Sequence, residues 1–159
     1  MDPAVKKTVL RWFTYGLHAV TAADGDEFAL MTANFVTQSS FTPPHLTVAV
    51  EVESKTHRLI EASGAFAVNV YGADQRDLAG QLGRTSARSP EKVEGVAWRP
   101  GPETGSPLLA DCLGWLECRV TGSLPSGDHT VYVAEVVEAG VNREGGPLIM
   151  SEAGFRHSG

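Results

Sequence analysis

The sequence predicts a mainly β fold, a closed or partly closed antiparallel barrel with short peripheral helices. Three observations predict it. Strand signals outnumber helix signals, every helical stretch is short, and the last third of the chain is almost continuous strand. A length of 159 residues suits one domain over residues 1–159, large enough to bury most of a core. The composition, 42% apolar and 20% charged, is that of an ordinary globular protein.

In chain order, Val5 to Phe13 can form a short helix that ends before Gly16. Leu17 to Ala22 reads as a strand, and Asp24-Gly25 is a strong turn signal. Phe28 to Thr37 reads as the next strand, Pro43-Pro44 breaks the chain, and Leu46 to Val52 makes a third. Thr56 to Ala62 has helical spacing, with Ser54 placed to cap it. Phe66 to Val70 is a strand, and Gln75 to Leu82 a short helix with Leu78 and Leu82 on one face.

Arg84 to Gly105 is polar, with Gly and Pro towards its end; an excursion of that length from a small core points to function or mobility. Leu113 to Leu124 and His129 to Val141 are two long strands joined through Pro125-Ser126-Gly127-Asp128, and Pro147 to Met150 can add a final short one. Cys112 and Cys118 lie ~20 Å apart if the strand between them is straight, beyond disulfide reach, so they read as buried thiols.

Several function classes lack their signals. The net charge of −6 shows no clustered basic face for nucleic acid. No apolar run approaches the ~18 residues of a membrane span, and the N-terminus shows no signal-peptide core, so a cytoplasmic location is expected. Motifs for a dinucleotide-binding Rossmann unit, a P-loop, a zinc-protease helix and a nucleophile elbow are missing. The five histidines have no metal-ligand spacing, and no metal site is expected.

Three constellations remain. Met31-Thr32-Ala33-Asn34, with Gln38-Ser39-Ser40 after it, places small and hydroxylated residues at a strand end. Backbone groups and an Asn amide there can match the alternating donors and acceptors of a flat heteroaromatic ring, and hydroxyls can reach a polar chain attached to it. The plain alternative is a polar strand end running into a turn. Ser54-Lys55-Thr56 opens a helix straight after a strand, a plausible anion site or simply a capped helix. Gly127-Asp128-His129 sits between the two long strands, where His129 can face a ligand or be an ordinary strand-edge histidine.

The order and spacing of these pieces resemble the flavin reductase family of FMN-binding split barrels. The resemblance is carried by Thr32-Ala33-Asn34, Ser39-Ser40, Pro43-Pro44, Ser54-Lys55-Thr56, Phe66-Ala67-Val68-Asn69, Leu116-Glu117-Cys118, Gly127-Asp128-His129 and Pro147-Leu148-Ile149. It implies a homodimeric split barrel that binds FMN, or FAD, and transfers a hydride to it from NADH or NADPH. In many members the reduced flavin serves a partner monooxygenase. By the same resemblance Met31, Thr32, Ala33 and Asn34 meet the isoalloxazine ring and ribityl chain. Gln38, Ser39 and Ser40 lie along the ribityl-phosphate, Ser54, Lys55 and Thr56 surround the phosphate, and His129 faces the nicotinamide. Met150 stands where the family often has Tyr or Phe, leaving Trp12, Phe35 and Phe155 as aromatic covers. Three rivals stay open: a flavin electron carrier that does not use pyridine nucleotide, an oxidase related to the pyridoxamine-phosphate oxidases, and a hydrolase using Ser39, Asp128 and His129.

Overall fold

The computed structural model describes residues 1–157. A short helix, α1 (Pro3–Leu10), is followed by strands β1 (His18–Asp24), β2 (Glu27–Ala33), β3 (Val36–Phe41) and β4 (Pro44–Glu51). Helix α2 (Lys55–Ser63), strand β5 (Ala65–Val70) and helix α3 (Arg76–Leu82) come next. A 3-10 turn (Pro90–Val93) and the short pair β6 (Trp98–Pro100) and β7 (Pro107–Leu109) lead into β8 (Gly114–Ser126) and β9 (His129–Val141).

Seven strands form one antiparallel sheet in the order β2-β1-β5-β8-β9-β4-β3. Its two edge strands, β2 and β3, are consecutive in sequence and separated only by Asn34 and Phe35. From Ala33 to Val36 the chain can span at most about 11 Å, so the two edges of the sheet must come together. Six antiparallel steps separate β2 from β3, so the two run in the same direction. They are therefore the halves of one extended stretch that pairs with β1 first and with β4 afterwards. The sheet is rolled into a barrel with a seam where that stretch changes partner, and Phe35 O accepts from Ala49 N at 3.0 Å just past the switch.

The barrel interior is filled by Val20, Ala29, Val48, Phe66, Val68 and Tyr132 together with Leu59 and Ile60 of α2, whose apolar face closes the core. Ser54 Oγ caps α2 by accepting from His57 N at 3.0 Å, and Gly64 ends it at φ 67°, a left-handed conformation that favours glycine. A second core lies outside the barrel. There α3 packs Ala79 and Leu82 against Leu17, Ala19, Leu30 and Tyr71, and Leu109, Leu148 and Met150 complete the layer.

Buried polar groups tie the excursion between α3 and β8 to the sheet. Asn69 Oδ1 accepts from Leu109 N at 2.8 Å, while its Nδ2 donates to Ala19 O and Pro107 O, each at 3.3 Å. Glu117 of β8, fully buried, accepts from Thr104 N at 2.8 Å, Thr104 Oγ1 at 2.7 Å and Glu103 N at 3.3 Å.

Three expectations change. The stretch Phe28 to Thr37 is divided at Asn34, because the chain crosses there from one sheet edge to the other. The first helix starts at Pro3 and ends at Leu10; Asp2 caps it by accepting from Ala4 N at 2.8 Å, and Pro3 suits the first turn. Pro147 to Met150 forms single bridges instead of a strand, Gly72 to Pro147 and Gly16 to Ile149. It is a clasp between two segments: Leu148 N donates to Tyr71 O, and Leu148 O accepts from Leu17 N.

Candidate flavin site

The seam positions most of the residues singled out in the sequence. As a sheet edge, β2 presents an outer row of backbone N–H and C=O groups beside Met31, Thr32 and Ala33. The side chains there are occupied. Met31 packs against the barrel core. Thr32 Oγ1 donates to Ala79 O of α3 at 2.6 Å and lies 2.9 Å from the Tyr71 hydroxyl. Asn34 is buried, with Nδ2 donating to His157 O at 3.0 Å and meeting Met150 Sδ at 3.5 Å. The Thr32 hydroxyl and the Asn34 amide nitrogen are thus committed within the chain, and the outer edge of the strand offers a ligand chiefly its backbone.

Phe35 begins an aromatic row across the seam. Its ring stands edge-on to Tyr15 at 5.6 Å and to the His129 imidazole at 5.7 Å. His129 Nδ1 bonds the Asp128 carboxylate at 2.7 Å, and that hydrogen bond holds the Asp128 carboxyl below the usual carboxylate range. With Nδ1 bound to an acceptor, Nε2 is the nitrogen left for a ligand.

Ser54, Lys55 and Thr56 lie beside this histidine because two turns are tied together. Val52 N donates to Asp128 O at 3.0 Å, and His57 Nε2 meets Thr130 Oγ1 at 2.9 Å. Ser54 Oγ is used by its cap, Thr56 is buried, and the Lys55 ammonium sits 6.0 Å from the Phe28 ring centre. Gln38, Ser39 and Ser40 are not gathered with His129 in a single copy of the chain. Gln38 pairs with Leu46, while His129 pairs with Glu51, so the two lie about 17 Å apart along β4. A register shift between Gln38 and Ser40 leaves Ser39 without a partner on β4.

Sequence reasoning missed a cleft on the other side of α3. It has a volume of about 560 Å³ and is lined by Arg76, Gln81, Arg84, Lys92 and Phe155, with Asp77 and Glu91 also contributing. Lys92 is buried, and its Nζ donates to Arg84 O at 2.7 Å and Leu82 O at 3.0 Å, at the end of α3. Burial, with Lys55 adding a like charge, pushes its pKa down to about 8. The one sequence signal was the length of the polar excursion that holds Arg84 and Lys92. Both cysteines are buried, and burial pushes each thiol up to about 12.

These features agree with what the chain resembles. The family model described as a flavin reductase like domain matches residues 10–159. The reductase component of 4-nitrophenol 4-monooxygenase/4-nitrocatechol 2-monooxygenase from Rhodococcus opacus is 35% identical over 158 residues, covering 99% of this chain and 82% of that protein. An NADH-dependent flavin reductase from a Rhodococcus species is 32% identical over 98% of this chain and 89% of its own length. Of the high molecular weight rubredoxin of Moorella thermoacetica, 33% identical, the match spans 61%. Among solved structures, the NADH:FAD oxidoreductase SgcE6 of Streptomyces globisporus superposes with a TM-score of 0.82 at 31% identity, covering 99% of this chain and 90% of that one. The rolled sheet with its seam and the match over almost the whole length make this chain a member of the flavin reductase family.

Proposed function

We propose that this flavin reductase holds FMN or FAD against the seam and reduces it with NADH or NADPH, and that the reduced flavin serves a partner such as a monooxygenase. The observation that carries the reading is the outer edge of β2 at Met31–Ala33, from which the chain runs through Asn34 to the row of Tyr15, Phe35 and His129. A sheet edge offers backbone donors and acceptors to a heteroaromatic ring without large side chains in between. Aromatic neighbours favour a flat ligand, and the start of α2 with Lys55 favours an anion such as a phosphate. The residues present thus fit a flavin.

When bound, the flavin supplies the hydride-accepting ring. The protein binds and aligns. Asp128 fixes the ring of His129, and Phe35 packs edge-on against it, so His129 presents Nε2 at a set position beside the seam. No protein nucleophile is needed, and alignment of two bound rings is chiefly a proximity effect. We further read the chain as a cytoplasmic homodimer. Exposed apolar side chains such as Trp12, Phe41 and Leu124 support a second copy, which would also bring another Gln38–Ser40 edge into reach. No helix among the described residues is long and apolar enough to cross a membrane.

The test is the visible spectrum of the purified protein with and without FMN, followed by anaerobic NADH. Flavin bands that bleach are expected, and failure to take up any flavin overturns the reading. His129→Ala should slow reduction while leaving flavin affinity near the wild-type value; unchanged reduction kinetics remove His129 from the site. The similarity to the Moorella rubredoxin favours a second reading, electron carriage without pyridine nucleotide. Flavin bands that respond to neither NADH nor NADPH would select it.

A further inference from the structure

The cleft between α3, the 3-10 turn and Phe155 has no part in the site as built so far, yet it shares walls with it. Thr32 of the seam bonds Ala79 O, and the next residue of α3, Gly80, lines the cleft. At the C-terminal end, Asn34 bonds His157 O, two residues beyond Phe155. Lys92 lies close enough to Lys55 for the second ammonium to disfavour the charge of the first.

Its chemistry is specific. Arg84 is exposed along the cleft, and Lys92 uses two of its three N–H donors on carbonyl oxygens, which leaves one. Arg76 donates Nε to Ala153 O at 2.7 Å, which fixes the final turn, and its guanidinium lies 5.2 Å from the Phe155 ring centre. Asp77 stands 3.8 Å from Arg76 and offsets part of that charge, and Glu91 is exposed on the cleft as a further acid. Phe155 is half-buried and offers an aromatic face, while Gln81 Nε2 is tied to Lys92 O at 2.6 Å and keeps the two walls in register. Guanidinium and ammonium donors next to an aromatic ring suit a phosphate joined to a purine, and about 560 Å³ is ample for one nucleotide.

We propose that this cleft is an adenylate subsite, taking the adenosine 5′-phosphate moiety of a dinucleotide whose reacting half lies at the seam. The proposal rests on the flavin reading above. FAD carries that moiety and FMN does not; NADH carries it, as does NADPH with a further 2′-phosphate, and dihydronicotinamide mononucleotide does not.

The experiment compares wild type with Arg84→Ala, at an exposed position, and Phe155→Ala, whose half-buried ring also packs against the second core, so that Arg84→Ala carries the decision if Phe155→Ala fails to fold. Calorimetry with AMP alone tests the subsite without reference to flavin; binding that weakens about tenfold in Arg84→Ala, the loss of one charge-assisted contact, is expected. Dissociation constants for FMN and FAD, and KM values for NADH and the dihydronicotinamide mononucleotide, identify the source. If FAD is the occupant, wild type prefers FAD to FMN and both variants lose that preference. If NADH is the occupant, the variants raise the KM for NADH and leave that for the mononucleotide. A loss shared equally by FMN and FAD, or no change with AMP or with any of the four, overturns the subsite. Should the wild type take up no flavin and still bind AMP through Arg84, the subsite stands and the flavin reading fails.

Discussion

Among the described residues, two charged side chains are buried, Glu117 and Lys92, and the two loops that bury them differ. Around Glu117 the segment 103–106 closes completely. Both carboxylate oxygens accept from the backbone, and Thr104 Oγ1 donates to Glu117 while accepting from Ser106 N at 3.2 Å. A Cβ at Gly101 would collide with that carboxylate, so the loop lies directly on the charge. Around Lys92 the closure is partial: two carbonyls of the α3 terminus face the ammonium, and the rest of the group borders an open cleft. A buried charge whose hydrogen-bonding capacity is all used by its own chain stabilises a loop and does nothing else. One with capacity left over, next to open space, is available to a ligand.

The largest effect is expected at Glu117. Glu117→Ala should cost about 3 kcal/mol or more in urea unfolding, since it strands the Thr104 and Glu103 amides and opens a void under the loop. A loss within error would mean that the loop is held by Asn69 and the apolar strand β7 alone. Lys92→Met should change stability less, and in a way that depends on pH. The folded ammonium is held at about 8 against an ordinary 10.5. Below pH 8 folded and unfolded chains are both protonated, and the full cost of burying the charge is present. Between pH 8 and 10.5 the unfolded chain binds more protons, so wild type should gain stability relative to Lys92→Met as pH rises. Parallel curves for the two proteins over that range would place the ammonium in water. The smallest effect is expected at the exposed pair Arg58–Glu27, with both side chains more than half accessible: Arg58→Ala should leave the unfolding midpoint unchanged.

The same contrast marks what could be read from the residues. Strand β9 has the bounds that the alternating pattern gives, His129 to Val141, because turn residues fix its start and its apolar face meets the core. Ser54 caps α2 as its position suggests, and Asp24-Gly25 makes the tight turn, with Gly25 at φ 57° and Asp24 paired to Glu27. The change of partner at Asn34 was invisible, since an extended stretch keeps its two-residue alternation whichever neighbour it pairs with. The strand β7 is three residues long, too short for a periodic signal, and Asn69 and Glu117 position its surroundings through contacts made across the fold. At the candidate site, residue types could single out segments but not what their side chains touch. The commitment of the Thr32 hydroxyl to α3, and of the Asn34 amide to the C-terminal turn, depends on contacts 47 and 123 residues away in sequence.

The seam also constrains how the length of this chain can vary. The stretch 85–89, between α3 and the 3-10 turn, sits outside the barrel and can gain or lose residues while the strands keep their partners. The two residues between β2 and β3 have no such freedom. One residue added there would shift the alternation of everything that follows up to the next turn, turning Val36 outward and Thr37 inward. It would also move Phe35 off its place beside His129. Insertions and deletions should therefore accumulate in that stretch and at the hairpin tips, while the link at Asn34–Phe35 keeps its length.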